Sequence, residues 1–92
     1  MAAKIREIWA SDRYTRELAL IGDIRRLDEV MVGLDFTLAR CPEAGQPTDN
    51  ERVRAIEAGP WAGAQLLVYY AFDDEQVEKL SVVLVPPTDS AE

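Results

Sequence analysis

Arg52 and Arg54, two guanidinium groups two residues apart in "RVRAIEA", have the type and spacing to meet a phosphate or a partner carboxylate from one face of a strand. Solvated strand arginines are the competing reading. Asp73, Asp74, Glu75 and Glu78 crowd carboxylates into one short stretch, a density that suits a hard cation held through oxygen. A solvated turn between two strands explains the same cluster and is preferred. Cys41 is the single thiol and histidine is absent, so the usual activating partner of a nucleophilic thiolate is missing and no Cys/His zinc set can be assembled. A small apolar residue at a helix end describes Cys41 better. No metal site and no cofactor are expected, and no catalytic residue can be named, because the chain has neither a Gly-rich phosphate loop nor a nucleophile elbow. Of the adjacent Tyr69 and Tyr70, one is expected in the core and the other on the far face, where Tyr69 is a candidate partner anchor. Trp61, in "GPWAG", is either a lid over the core or a second anchor.

Elements must position these groups. Residues 4 to 10, "KIREIWA", alternate in a way that suits a short strand, with a helical start as the alternative. Ser11 or Asp12 caps a helix whose apolar positions are Tyr14, Leu18 and Ile21, and Gly22 interrupts it. Asp23 offers a second cap. From there Ile24, Leu27, Met31, Leu34, Leu38 and Cys41 recur at steps of three and four, one apolar stripe along a helix that Pro42 stops. The stripe is shorter than three heptads, so packing on a sheet is preferred to a coiled-coil seam.

After the turn-rich "CPEAGQPTDN" the period changes to two. "RVRAIEA" reads as a strand, "GPWAG" breaks the chain, and residues 65 to 72 form a strand apolar on both sides, hence central. "DDEQ" turns the chain, Val77 to Val85 return, and Pro86-Pro87 end the pairing. The expected fold is α+β: an N-terminal strand and a two-helix hairpin packed on a small, mostly antiparallel sheet, in the order β-α-α-β-β-β. It forms one domain over residues 1–92, with a short disordered tail at about 86–92.

A chain of 92 residues buries only about 60–65% of its unfolded surface, enough for one layer of helix on one sheet. The lone cysteine fits a reducing cytoplasm, and neither an export signal nor a membrane-spanning run is recognisable. Charge divides unevenly along the chain. Residues 1 to 54 carry nine bases and ten acids, net −1, while residues 55 to 92 carry only Lys79 against seven acids, net −6. Nucleic acid is therefore not expected on the acidic half, which has almost nothing to neutralise phosphates. A protein partner for that half is expected to be basic as well as apolar.

The element order, with "IWASDRYTREL" running from strand into helix, "LARCPEAGQP" closing the second helix, "VRAI" opening the sheet and "LLVYYAFDDEQVEKLSVVLV" completing it, resembles the RelE/ParE superfamily of toxins from type II toxin-antitoxin modules. The resemblance implies a fold like that of a microbial ribonuclease and a cognate antitoxin that wraps the toxin. It also implies either cleavage of messenger RNA on the ribosome or poisoning of DNA gyrase. Arg52 and Arg54 stand where the family often carries bases. Two departures matter. The Arg that family members usually carry early in the third strand is replaced here by Gln65, Leu66 or Leu67, and the chain ends "VVLVPPTDSAE" without the basic, His or Tyr residues of the cleaving members. The expected function is a toxin-like component that binds an antitoxin, with ribonuclease activity disfavoured. A free-standing interaction or regulatory domain of the same fold with no antitoxin is the alternative, and the partner is either a cognate antitoxin, another protein or a second copy of the chain.

Overall fold

The stripe of apolar residues from Leu27 to Leu38 lies against a sheet, as its spacing predicts: Leu27, Met31, Leu34 and Leu38 are all buried. The computed structural model describes residues 5–21, 24–61 and 64–85. Its elements are β1 (Glu7–Ala10), α1 (Asp12–Ile21), α2 (Ile24–Arg40), a 3-10 turn (Pro42–Ala44), β2 (Gln46–Pro47), β3 (Arg54–Trp61), β4 (Ala64–Phe72) and β5 (Gln76–Val85). The strands form one five-stranded sheet in the order β1-β5-β4-β3-β2. All neighbours run antiparallel except β1 and β5, which are parallel. The fold is α+β and β4 is the middle strand. The expected tail at 86–92 lies outside the described residues, and no helix among those described is long and apolar enough to cross a membrane.

Ser11 starts α1 as its type predicts. Its Oγ accepts the Tyr14 N–H at 3.0 Å, satisfying a first-turn donor that has no partner within the helix. The same hydroxyl donates to the Leu80 carbonyl at 2.9 Å, and the Ser11 N–H donates to the Lys79 carbonyl, so the cap also ties the helix to β5. At this point β5 carries a bulge: Tyr69 pairs with Ser81 and Tyr70 with Lys79, leaving Leu80 as the extra residue. Beyond the bulge β1 has ended. The Glu17 carboxylate of α1 now lies along that edge and accepts from Ser81 Oγ at 2.7 Å and from the Val82 N–H at 3.0 Å.

Tyr70 organises the connection after α2. Its hydroxyl donates to the Pro42 carbonyl and accepts the Gly45 N–H at 2.9 Å. A Cβ at Gly45 would lie 2.5 Å from that hydroxyl, so the close approach requires glycine. The held loop then lays Gln46 and Pro47 beside Ala55 and Arg54 as β2.

Several expectations are corrected. The first strand is shorter than residues 4 to 10. Cys41, the last member of the stripe, is exposed, because α2 ends at Arg40 and Pro42 takes the buried position beyond it. The loop after Pro42 contains the short β2, which adds a strand to the expected order. The strand expected from Arg52 begins at Arg54, and Arg52 lies in the turn before it. That strand also runs through "GPW" to Trp61 instead of breaking there. The register shifts between Ala58 and Trp61, and β2 reaches only Ala55, so the missing N–H of Pro60 removes no regular ladder bond.

Candidate functional site

Strand alternation gives the sheet two unlike faces. Val68 pairs with Ile56 and Val82, Tyr70 with Arg54 and Lys79, and Val77 with Ile8 and Phe72. These residues share the face toward the helices, where Val68, Tyr70, Val77 and Val82 build the core with Tyr14, Leu27 and Leu38, and Ile8, Ile56 and Phe72 pack against it. On the opposite face Leu67 lies between Glu57 and Val83, Tyr69 beside Ala55, and Ala71 and Trp9 on either side of Glu78. Tyr69 is half-buried there, whereas Trp9 is 54% exposed and Val83 44%. No described element packs over them. The two tyrosines divide as expected, with Tyr70 in the core and Tyr69 on the uncovered side.

Charge divides by the same alternation. The strands hold five charged residues, and Glu7, Glu57 and Glu78 share the uncovered face while Arg54 and Lys79 turn toward the helices. Lys79 is buried beneath the helices, its Nζ 2.8 Å from Asp35 Oδ1 and 4.7 Å from the centre of the Tyr14 ring. The Tyr14 hydroxyl donates to Met31 Sδ at 2.8 Å. Burial first, and the Asp35 charge second, push the Tyr14 phenol pKa upward, so it stays protonated at any ordinary pH. The one base after Arg54 is therefore spent inside the fold, and among the described strand residues the charged groups of the uncovered face are all carboxylates.

Arg52 and Arg54 meet at the end of the sheet, in an open cleft of about 570 Å³ lined also by Phe72, Gln76, Glu51, Asp73 and Glu78. They do not act alike. Arg54 is half-buried and its Nη1 donates to the Gly45 carbonyl at 2.8 Å, bracing the loop that Tyr70 holds. Arg52 is exposed. Arg6 lies across the same end, its guanidinium 5.8 Å from the Phe72 ring centre and its Nε donating to the Asp73 carbonyl at 2.6 Å. Burial raises the Tyr70 pKa, against the lowering pull of the Gly45 N–H and of Arg54, so this phenol is no base at neutral pH. The cleft can bind a charged or planar group. It presents no poised proton donor and acceptor pair among the described residues.

The acidic turn is exposed. Asp73 Oδ1 accepts the Glu75 and Gln76 N–H groups at 2.8 and 2.9 Å, as turn residues do. No group of three or more metal-ligating side chains comes together among the described residues. The Trp61 side chain lies outside the described residues. Sequence reading missed Trp9 as a face residue, and it missed the Lys79–Asp35 pair. The first was visible in the parity of "EIWA". The second had no local signal, since 44 residues separate the partners.

No family model matches the chain, and no curated protein matches it.

Proposed function

We propose that the chain is a toxin-like component of a type II toxin-antitoxin module, of RelE/ParE kind, which works in the cytoplasm by binding a cognate antitoxin protein. The observation that supports this reading is the uncovered sheet face, where Trp9, Leu67, Tyr69 and Val83 lie among carboxylates with no described element over them. Aromatic and aliphatic anchors supply affinity when a partner excludes water from them, and the surrounding charge sets encounter rate and register. Two copies of this face would oppose carboxylate to carboxylate, which disfavours face-to-face pairing of the chain with itself.

Binding is a better reading than RNA cleavage because two of the three bases from Arg52 onward are committed to the fold, and Arg52 alone is left facing the cleft. A cleavage catalyst needs donors aimed at the charge that develops in the transition state. Here Lys79 answers Asp35 in the core and Arg54 answers Gly45.

Co-expression with each flanking reading frame tests the proposal. One product is expected to co-purify in a fixed ratio and to relieve growth arrest, and Tyr69→Glu or Val83→Glu is expected to release it. If neither neighbour binds, the toxin-antitoxin reading falls and a free-standing interaction domain replaces it. Purified protein that cuts RNA efficiently, with the activity abolished by Arg52→Ala and Arg54→Ala together, would overturn the non-catalytic part.

A further inference from the structure

We infer that the outer edge of β3 adds an extended, apolar and basic segment of a partner protein as a further strand, in the row that β2 begins. The inference rests on the protein-binding reading above and names a second contact for that partner. β2 pairs only with Ala55 and Arg54, and no described strand continues its row beside Ile56–Ala58. A strand edge offers outward N–H and C=O groups to any extended chain of matching register. Pro60 lacks an N–H and limits how far such pairing can run.

The edge is flanked by a groove on each side of the sheet. The helix-side groove, about 440 Å³, lies between α2 and β3 over Val30, Leu34 and Ala58. The other, about 300 Å³, opens beside Leu67 and Gln46. Both include Ile56 and Glu57. An added strand points successive side chains to opposite faces of the sheet, and here each face holds a recess for them. Gly33 lines the helix-side groove, and nothing lies within 4 Å of where its Cβ would stand. That space is open for an incoming side chain. Glu29 and Glu57 are the charged residues lining the grooves, with no base among the lining residues, so Lys or Arg at alternate positions of the partner complements them.

The probe is a ten-residue blocked peptide alternating Val and Lys, titrated into isotope-labelled full-length chain, with a Val/Glu peptide of equal length beside it. Support is saturable binding of the Val/Lys peptide with new amide protection between Ile56 and Ala58. Affinity should fall at least tenfold in Gly33→Leu, which fills the groove, and in Glu57→Lys. Gly33→Leu should melt no lower than the parent, so lost binding would not reflect lost folding. Equal binding of both peptides, no binding, or binding untouched by Gly33→Leu overturns the inference. A co-purified partner held equally well by the parent and by both variants overturns the edge site and leaves the protein-binding reading standing. Edge binding of the peptide with no partner among the flanking genes leaves the site standing and removes the toxin-antitoxin reading.

Discussion

Lys79 and Asp35 show how one residue's environment decides what its charge is for. The ammonium is buried and the carboxylate is partly exposed, so removing either partner has a different cost. Asp35→Ala leaves a buried cation unpaired and is expected to cost about 3 kcal/mol, the lower end for breaking a buried pair. Lys79→Met removes the buried charge, fills a similar volume and leaves Asp35 facing solvent, so its cost should be clearly smaller. Urea unfolding of both variants measures the difference, and equal losses would mean that the pair is effectively solvated. The two arginines form a similar contrast. Arg54→Ala should lower stability by about 1 kcal/mol through the lost Gly45 contact, and Arg52→Ala should stay within about 0.5 kcal/mol of the parent. Thermal melts of the two single variants test this.

At the scale of elements, α2 was the most legible part of the sequence because a period near 3.6 over 17 residues leaves little choice of buried face. Leu34→Asp would place an unpaired charge in that face and should cost several kcal/mol, a large share of the roughly 5–15 that a domain has. One position earlier, Gly33→Ala meets open space and should stabilise by about 0.5–1 kcal/mol through helix propensity alone. Opposite signs at adjacent positions, read in one set of unfolding curves, would confirm the orientation of the helix. The switch to period two after Pro42 was equally legible, as was the central place of β4. The two residues of β2 were not, because Gln46 and Pro47 become a strand only when Tyr70 and Arg54 hold the loop beside β3. The bulge at Leu80 was hidden for a related reason: a partner strand and the start of α1 set it. For the candidate face, Glu57 and Glu78 against Arg54 and Lys79 could be sorted by parity once the strands were drawn. The uncovered state of that face could not, since it depends on where both helices pack.

For the whole molecule, acid is the condition that separates these interactions. The Ser81 hydroxyl first, then the Val82 N–H, hold the Glu17 pKa below the usual carboxylate range. Because the folded chain binds that proton less tightly than the unfolded one, the contribution is complete above about pH 4.3 and drains away as pH falls through the lowered folded value. Glu17→Gln should flatten the acid side of a melting-temperature profile and leave the neutral region nearly parallel to the parent. The buried phenols act at the other extreme. Tyr14 and Tyr70 hold their protons more tightly when folded, so their contribution is full below about pH 10 and is lost as pH rises beyond it.

The parallel pairing of β1 with β5 bears on how the chain is made. Ser11 and Leu80, joined through the cap, are 69 residues apart. During synthesis, at about 5–20 residues per second, Ile8 and the whole of α1 emerge seconds before the strand that will receive them. Throughout that interval the nascent chain can assemble α2 with β3 and β4, but the sheet has no place for its first strand. Closure is then the last event, set by release of β5 from the ribosome, and long-range pairing of this kind folds slowly. A stalled chain that exposes residues up to Phe72 should accordingly be cut by protease within β1 and α1 and spared across α2 to β4, whereas one that exposes Val85 should be spared throughout.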